Sequence, residues 1–556
     1  MGEWPRQIAP HPDASRFTWP AFFVANEPGV LPVRSLAAKL TGMNGLAFDD
    51  LIADAGPELI RPAAQPITEM TDDSRRVASG CVFVARGRAD ATSDGDGWRA
   101  WVVDACAAGA AAVVAPAAVD VPDGVGLAVA SVVDQPLAAE LAARFFGHPA
   151  RGLKLVGITG TNGKTTVATI TQHLLKTGGM RCGLLGTVAI DDGGADGPQP
   201  AELTTPGAIE LQRVFACMVA NGCAAAVMEV SSHALDQGRV AGLDFDVAVF
   251  TNLTQDHLDY HGTMAAYAAA KAKLFAGLRP DATAVINVDG DYEHEMSEVT
   301  AGRLCWTSTV LPGGGTYERG STNYMPVGRA VEMRPGSSLV ELQGPWGTAR
   351  VSVPLVGLHN LSNVLQAVCA ADAIEPFGSE GIERLRSLLP VPGRLEPVTF
   401  PGIGRPGDAP AVLVDYAHTP DALVNVLGTL RPLTPGRLIC VFGCGGDRDR
   451  TKRPRMARAA ADGADVLILT SDNPRTEDPQ QILGDAAAGV PAERRGALTV
   501  EIDRAKAIAA AVAGARPDDT VLIAGKGHED YQIIGTTRTH FDDREEAARA
   551  LARWSG

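Results

Sequence analysis

The segment 160–166, GTNGKTT, combines a glycine loop with residue types that hold phosphate groups. It lies between an apolar run and a helix-like stretch, so backbone N–H groups and a helix N-terminus would point at phosphate oxygens. Lys164 adds a positive charge for the β- and γ-phosphates, and the Thr165 hydroxyl can reach Mg²⁺. The standard Walker pattern would begin with Gly where this chain has Ile158. The remaining GK[ST] core still favours a nucleotide site over a glycine-rich loop that binds nothing.

A second segment with chemical potential, SDNPRTEDP at 471–479, follows the apolar run 465–470. That run predicts a buried strand, which places the polar segment at the carboxyl edge of a sheet, where open α/β sheets bind ligands. Asn473 can donate and accept hydrogen bonds there. The planar guanidinium of Arg475 can bind a carboxylate through two parallel hydrogen bonds. The segment therefore suits a ligand that ends in a carboxylate.

A carboxylate and an imidazole also stand at predicted strand ends. Glu229 ends one apolar run, and His257 follows another in a loop. Both are plausible ligands for a hard cation beside a phosphate loop. The alternative, a hydrogen-bonded surface residue, carries more weight for His233 and His261. We see no Ser or Cys nucleophile with a convincing triad.

The elements that must position these residues alternate between strands and helices. From residue 152 onward, apolar runs such as AAAVMEV, VAVFTNL and TAVINV are separated by helix-like stretches, which predicts βαβ crossovers and parallel sheets. We predict an α/β protein with a central P-loop parallel sheet, a Rossmann-like C-terminal domain and a smaller α/β N-terminal domain. The predicted boundaries are 1–60 for an N-terminal extension and 61–150, 151–390 and 391–556 for the three domains. Alternating runs near 335–355 predict an added hairpin region.

Composition limits the function classes. The formal charge of −16 over 556 residues argues against a nucleic-acid binder or an anionic-membrane binder. The nine cysteines are scattered without a CxxC pair, so buried free thiols and a reducing cytoplasm are expected. The chain has no run of 18 apolar residues, and its start lacks the layout of a signal peptide, so no membrane insertion is expected. The sequence does not set the oligomeric state, and a monomer is the expectation.

Nine motifs together resemble one superfamily. They are GTNGKTT, MEVSSHAL (228–235), TNLTQDHLDYH (251–261), AAAKAKLF (268–275), GLHNLSN (357–363), DYAHTPDAL (415–423), GCGGDRDRTKRPRM (443–456), SDNPRTEDP and GKGHE (525–529). Their order and spacing, over roughly residues 67–540, resemble the Mur ligases and the folylpolyglutamate synthases. The resemblance is strongest to the Mur ligases that add meso-2,6-diaminopimelate to UDP-N-acetylmuramoyl-L-alanyl-D-glutamate. Nothing in the composition indicates that substrate.

The resemblance implies an ATP-dependent amide ligase of peptidoglycan synthesis that works through an acyl phosphate with two Mg²⁺ ions. The catalytic residues it implies are Lys164, Lys271, Glu229 and His257, and the metal ligands are Thr165, Glu229, His257 and Lys271. Lys271 would react with CO₂ to form a carbamate ligand. That reaction needs a neutral amine, so a lowered pKa is expected. The alternative is a solvated helix lysine, like Lys273.

Three binding sets are implied in the same way. For ATP they are Gly160, Thr161, Asn162, Gly163, Lys164, Thr165, Thr166, Asn360, Asn363, Arg394 and Asp415. For the UDP-muramoyl dipeptide they are Ser74, Thr204, Thr205, Ser231, Gln237 and Arg239. For diaminopimelate they are Arg448, Asp472, Asn473, Arg475, Gly525 and Glu529. One departure is Trp98, which stands where many relatives have a His, and it leaves the muramoyl contacts of its loop open.

Three other readings remain. A lysine-adding Mur ligase would meet a lone ammonium instead of a carboxylate, against which Arg475 would be unpaired. A folylpolyglutamate synthase should lack both the uridine-type N-terminal domain and the DNPR segment. A P-loop switch ATPase would explain GKTT but not GKGHE or the third domain.

Overall fold

The computed structural model describes residues 45–89, 97–310, 323–334, 336–398 and 409–554. Most of the predicted extension 1–60 therefore lies outside the described residues. Within the described ranges the strands form three large sheets whose central strands are parallel, which confirms the predicted α/β fold class. No helix in these ranges is long and apolar enough to cross a membrane.

The first sheet uses residues 58–129. Its strands, with those of a small separate ladder, are β1 Glu58–Arg61, β2 Glu69–Thr71, β3 Cys81–Val84, β4 Gly87–Arg88, β5 Ala112–Ala115, β6 Gly126–Val129 and β7 Val132–Val133. The order is β1-β6-β5-β3-β2, with β1 antiparallel to β6 and the other pairs parallel. The accompanying helices are α1 Phe48–Ile52, α2 Gly97–Ala107 and α3 Gln135–Phe145. Thus the last residues of the predicted extension form α1 and the start of β1.

The central sheet has nine strands. They are β8 Lys154–Thr159, β9 Cys182–Leu185, β10 Ala189–Asp191, β11 Gln199–Pro200, β12 Ala225–Glu229, β13 Val247–Phe250, β14 Thr283–Asn287, β15 Arg303–Thr307 and β16 Asn323–Tyr324. The order is β11-β10-β9-β12-β8-β13-β14-β15-β16. β8 lies between β12 and β13 and is parallel to both, so the residues that follow these three strands meet at one edge.

Helices and a small sheet cover the central sheet. The helices are α4 Lys164–Thr177, α5 Ala208–Ala220, α6 Ser232–Asp236, α7 Leu258–His261, α8 Met264–Ala276, α9 Glu293–Ser297, α10 Leu358–Ile374 and α11 Ser379–Glu383. The small antiparallel sheet comprises β17 Val327–Arg334, β18 Ser337–Gly344 and β19 Gly347–Val353, which confirms the added hairpin region. Ile170 and Leu174 of α4 share one buried core with Val364 and Val368 of α10. This packing fixes the phosphate loop relative to the start of α10.

The C-terminal sheet has six strands. They and a separate hairpin are β20 Glu396–Pro397, β21 Ala411–Asp415, β22 Leu438–Cys444, β23 Val466–Ser471, β24 Leu498–Val500, β25 Thr520–Ala524, β26 Tyr531–Ile534 and β27 Thr537–His540. The order is β20-β21-β25-β22-β23-β24, and all pairs except β20-β21 are parallel. The helices are α12 Pro420–Leu430, α13 Lys452–Gly463, α14 Pro479–Ala487, α15 Arg504–Ala513 and α16 Asp543–Leu551. The strand predicted before the SDNPRTEDP segment is confirmed as β23.

Candidate active site

The phosphate loop leaves β8 through two glycines in the left-handed region, Gly160 at φ 145° and Gly163 at φ 87°. Lys164 opens α4, and its Nζ donates to the carbonyl oxygens of Gly160 and Thr161, at 2.9 Å each. Burial lowers the pKa of the Lys164 ammonium, while the nearby Glu229 carboxylate raises it. The ammonium is therefore folded back over its own loop, ready to exchange backbone carbonyls for phosphate oxygens.

The segment after β13 holds this loop in shape. The Thr251 hydroxyl donates to the carbonyl of Asn162 at 2.6 Å, and the Asn252 side-chain oxygen accepts from the Asn162 N–H at 3.0 Å. The Thr161 hydroxyl donates to the Thr254 carbonyl at 3.2 Å. These residues lie in the motif TNLTQDHLDYH, but none of them was predicted to hold the loop. Their role could have been predicted from their position, because they directly follow an apolar run that predicts a strand next to the P-loop strand.

Glu229 and Lys271 are both buried beside the loop. The Glu229 carboxylate ends β12 and accepts from the N–H and hydroxyl of Thr187, at 2.8 and 3.1 Å. Lys271 Nζ donates to the Gly160 carbonyl at 2.9 Å and lies 4.5 Å from the centre of the Tyr267 ring. Burial and the Lys164 charge hold the pKa of Lys271 well below its usual range. In contrast, Lys273 is exposed and pairs with Asp236, so only one of these two helix lysines has the environment of a solvated surface group.

His257 lies in a cluster of aromatic and imidazole rings next to α8. Its backbone is left-handed at φ 52°, and its ring is 4.9 Å from that of His233 and 6.1 Å from that of Tyr267. His261 contacts the Ser232 hydroxyl at 2.9 Å. Burial lowers the pKa of all three histidines. They therefore favour the neutral imidazole, which is the form that binds metals.

The donor chemistry beside the loop fits Mg²⁺. Among the described residues, no group of three or more His, Cys, Asp or Glu side chains is arranged to hold a metal ion. Mg²⁺ sites in nucleotide enzymes commonly use one or two protein oxygens together with phosphates and water. The buried Thr165 hydroxyl and Glu229 carboxylate are oxygen donors of this kind.

Residues of α10 and of the C-terminal domain contact the phosphate loop and the start of α4. Asn363 packs its side-chain oxygen against Gly163, where a Cβ would clash with it, and its amide donates to Asn360 at 3.1 Å. Arg394 reaches the Thr165 hydroxyl at 3.4 Å, and its guanidinium lies 5.0 Å from the centre of the Tyr416 ring. The C-terminal domain thus contacts the phosphate loop directly.

Asp415, at the end of β21, holds the turn that carries Arg394. Its carboxylate accepts from the backbone N–H groups of Leu395 and Ala417, at 2.7 and 2.8 Å. Burial raises the pKa of Asp415, and the Arg394 charge opposes that shift. The Asp415 carboxylate is engaged by backbone N–H groups, so it holds the turn that carries Arg394.

Four residues predicted for the UDP substrate form a connected set near Glu229. The Thr205 hydroxyl donates to the Glu229 carbonyl at 2.9 Å and accepts from the Ser231 N–H at 3.0 Å. Arg239 donates to the Thr205 carbonyl at 2.8 Å and binds the Gln237 side-chain oxygen through Nε and Nη2. These contacts link the half-exposed Arg239 guanidinium, through Thr205, to the backbone at the end of β12.

Thr204 and Ser74 extend this region in different ways. The Thr204 hydroxyl contacts that of Thr187 at 3.0 Å, so it joins the Glu229 network. Ser74 lies in the first domain, in the 3₁₀ turn Ser74–Arg76 between β2 and β3. The charge of Arg86 acts on Arg239, whose pKa is lowered first by burial and then by that charge. Arg86 of the first domain therefore lies close enough to Arg239 to affect its pKa, and Arg86 was not predicted to be a site residue.

Hydrogen bonds join the SDNPRTEDP segment to GKGHE. Asn473 is buried, and its amide nitrogen donates to Glu529 Oε2 at 2.9 Å. Arg475, at φ 52°, donates from Nη1 to the Gly446 carbonyl at 2.8 Å. Gly525, at φ 115°, follows β25 and donates its N–H to the Asp415 carbonyl at 3.0 Å. Loops from β22, β23 and β25 are therefore joined at one sheet edge.

Arg448 and Asp472 differ in exposure beside these loops. Arg448 is exposed, and Nη1 donates to the Asp447 carbonyl at 3.2 Å. Asp472 pairs with Lys526 at 3.4 Å. Lys526 is fully buried, yet the sequence analysis named only its neighbours Gly525 and Glu529.

Comparison with known proteins identifies the family. A model of the Mur ligase middle domain matches residues 158–371, and a model described as Mur ligase, glutamate ligase domain, matches residues 393–527. The chain is 48% identical over 497 residues to the UDP-N-acetylmuramoyl-L-alanyl-D-glutamate--2,6-diaminopimelate ligase of Synechococcus elongatus, covering 87% of this chain and 94% of that relative. The chain belongs to the Mur ligase family. A ligase of the same name from Parasynechococcus marenigrum is 46% identical over 515 residues, covering 91% of this chain and 99% of the relative.

A solved Mur ligase structure agrees with this assignment. The structure of a UDP-N-acetylmuramoyl-L-alanyl-D-glutamate--2,6-diaminopimelate ligase superposes with a TM-score of 0.62 at 32% identity, covering 92% of this chain and 99% of that one. Both P-loop and DNPR segments fall inside the matched span of the family models. The motif resemblance seen in the sequence is therefore confirmed at the level of the family.

Trp98 is a core residue in this Mur ligase. Its ring is 1% exposed, packs against Gly87 and belongs to the core beneath α2. Such burial accounts for an indole here, because it fills the core. Residues 90–96 of the same loop lie outside the described ranges.

Two arginines of the basic run GGDRDRTKRPRM form ion pairs inside the Mur ligase fold. Arg453 is buried and pairs with Glu477 and Asp485, at 2.8 Å each. Arg450 also pairs with Glu477, at 2.8 Å. Arg450 and Arg453 therefore hold the loops together, whereas Arg448 of the same run is exposed.

Proposed function

We propose that this protein is an ATP-dependent ligase that adds meso-2,6-diaminopimelate to the D-glutamate of UDP-N-acetylmuramoyl-L-alanyl-D-glutamate in peptidoglycan synthesis. Relatives that share 43–48% of its residues carry the name of that diaminopimelate ligase. The contacts among the candidate residues described above support the proposal. We propose that it acts in the cytoplasm as a monomer; its nine cysteines are all free thiols.

One relationship carries the proposal. Arg394 contacts Thr165 of the phosphate loop and stacks on Tyr416, and the Tyr416 ring lies 5.1 Å from that of His528. His528 immediately precedes Glu529 of the proposed amino-acid site. A continuous chain of contacts thus joins the phosphate loop to Glu529. This proximity supports a reaction in which one carboxyl group first receives a phosphate and is then attacked by an amine.

We propose the acyl-phosphate route that the family resemblance implies. The terminal carboxylate of the UDP substrate attacks the γ-phosphate of ATP, which forms an acyl phosphate and releases ADP. The amine of the amino acid then attacks the acyl carbon, and phosphate leaves from the tetrahedral intermediate. Lys164 and the N–H groups at the start of α4 stabilise the charge that develops on the transferred phosphate. Their main contribution is position and electrostatics.

Thr165 and Glu229, with His257, would hold Mg²⁺, which would neutralise phosphate charge in both steps. We propose that Lys271 adds CO₂ at Nζ, with loss of a proton, and so supplies an anionic ligand for a second ion. The buried, low-pKa amine supports this step, because only the neutral amine reacts with CO₂.

The remaining sites divide between the two other substrates. Arg239, beside Thr205 and Ser231, suits the anionic UDP-muramoyl dipeptide. Arg475 suits the far carboxylate of diaminopimelate, and Glu529 suits its far amine. A lysine substrate would offer the Arg475 guanidinium no carboxylate, and for that reason we propose diaminopimelate.

The deciding experiment measures phosphate release from ATP with each reactant omitted in turn. We expect release to need both the UDP-muramoyl dipeptide and diaminopimelate, with lysine a poor substitute. The variant Lys164→Met should lose about 10²–10³-fold in kcat, the range typical of removing one electrostatic contact to a transition state. Release that needs neither co-substrate would contradict the ligase proposal and favour a switch ATPase.

A further inference from the structure

Lys526 is the one residue of GKGHE whose side chain is completely enclosed, and its surroundings are polar. Its Nζ lies 3.3 Å from Asn473 Oδ1, 3.4 Å from Asp472 Oδ1 and 3.4 Å from Glu529 Oε2. The Tyr531 ring closes the remaining side at 5.4 Å. A buried ammonium without partners would be costly, and this one has an oxygen from each of three side chains.

These contacts determine which way the Asn473 amide points. Its oxygen accepts from the Ile533 N–H at 3.0 Å and faces the Lys526 ammonium, and both of these groups can only donate. The amide nitrogen must therefore point away from them, toward Glu529 Oε2, where it donates at 2.9 Å. The Ile533 N–H and the Lys526 ammonium together set the direction of the amide.

The same ammonium also orients the Glu529 carboxylate. Oε2 receives both Lys526 and the Asn473 amide, while Oε1 takes part in neither contact. One carboxylate oxygen is held by the protein, and the other remains for an amine.

We propose that Lys526 is a positioning residue for amino-acid selection, which fixes Asn473 and Glu529 so that the free oxygen of Glu529 receives the far amine of diaminopimelate. This inference rests on the proposed function. Lys526 does not touch the substrate. It acts through Glu529, and Arg475 recognises the far carboxylate independently, through a loop that the backbone of β26 holds.

Two analogues separate these roles. L-Lysine lacks the far carboxylate and tests Arg475, whereas 2-aminopimelate lacks the far amine and tests Glu529. In Lys526→Met, the preference for diaminopimelate over 2-aminopimelate in kcat/KM should fall about 10- to 100-fold, as expected for a lost hydrogen bond to a charged group. The preference for diaminopimelate over lysine should remain within about twofold of wild type.

Lys526→Met leaves two carboxylates without their cation, so a second variant keeps the charge balanced. Asp472→Asn/Lys526→Met retains the wild-type net charge of the Lys526, Asp472 and Glu529 group, and it should lose the same preference while it folds normally. Lys506→Met is the matched control, because Lys506 is an exposed lysine of the same domain that pairs only at 3.5 Å with Asp503. It should change neither preference.

The outcomes are distinct. A folded Lys526→Met or double variant that still prefers diaminopimelate over 2-aminopimelate as wild type does would overturn the inference. Equal losses of both preferences would assign Lys526 a merely structural role and also overturn it. Wild-type enzyme that ligates no amino acid would instead contradict the proposed function itself.

Discussion

The Arg504 guanidinium donates to both carboxylate oxygens of Asp543, at 2.7 and 2.6 Å, and neither side chain is exposed to solvent. The same guanidinium donates to the carbonyls of Ala524 at 3.0 Å and Ser471 at 3.4 Å. These two residues end β25 and β23, directly before Gly525 and Asp472. One buried cation therefore ties α15 and α16 to the two strand ends that precede the proposed amino-acid site.

Asp543→Asn should destabilise the protein strongly, because it leaves the buried Arg504 charge without a counterion. Breaking such a pair from one side typically costs about 3–5 kcal/mol in the free energy of unfolding. Urea denaturation followed by circular dichroism measures it. The matched control is Asp462→Asn, which removes the exposed partner of Arg458 and should leave the denaturation midpoint unchanged. Equal shifts in the two variants would show that the buried pair is not an organising contact.

Arg475→Ala should raise the KM for diaminopimelate much more than the KM for ATP. The backbone of Arg475 is held by Ile533 and Gly535, so the loop should persist without the side chain. Loss of a bidentate contact to a carboxylate predicts an increase of about 10- to 100-fold. Steady-state kinetics with each substrate varied gives the comparison, and Arg458→Ala on α13 is the control. If both KM values rise together, the segment is only structural.

Lys271→Ala should abolish phosphate release, whereas Lys273→Ala, two residues away and exposed, should retain it. Burial lowers the pKa of Lys271, so the neutral amine is already present at lower pH than for an ordinary lysine. Wild-type activity should therefore fall in CO₂-depleted buffer and return on addition of bicarbonate. Native mass spectrometry should show one added CO₂ in the active form. An enzyme that is insensitive to bicarbonate, with Lys271→Ala still active, would contradict the carbamate.

The sequence was sufficient for features that local pattern and motif spacing determine. The P-loop at Gly160–Lys164 and the strand β23 before Asn473 were predicted. In both cases an apolar run predicts a buried strand, and the polar residues after it lie at the carboxyl edge of the sheet, where ligands bind. The carbamate role proposed for Lys271 depended on family resemblance. Its burial comes from the packing of α8 on the loop, which no local pattern encodes.

Lys526 and Arg453 show where prediction from sequence failed. Lys526 lies between two glycines near acidic residues, a context that usually indicates solvent, and Arg453 lies within a basic run that resembles an exposed helix face. Both are buried because strands distant in sequence bring Asp472 and Glu477 to them. Ion pairs between residues that only the tertiary fold brings together could not be predicted from the single sequence.

His528 should make stability depend on pH on the acid side. Burial lowers the pKa of its imidazole to about 4, from an ordinary value of 6.5. The unfolded chain thus binds a proton at higher pH than the folded protein does, and the contribution of His528 to stability is complete above about pH 6.5 and is lost as the pH falls toward 4. His528→Asn removes this linkage while it keeps a polar group of similar size.

Urea midpoints measured from pH 7 to pH 4 test this relationship. The midpoint of the wild type should fall more steeply than that of His528→Asn between pH 6.5 and 4, and the two slopes should agree above pH 6.5. His540→Asn is the control, since His540 is an exposed residue on β27 that contacts Glu545 at 3.3 Å, and its profile should follow the wild type. Parallel profiles for all three proteins would show that His528 titrates as freely in the folded protein as in the unfolded chain, and that its enclosure beside Tyr416 has no effect on protonation.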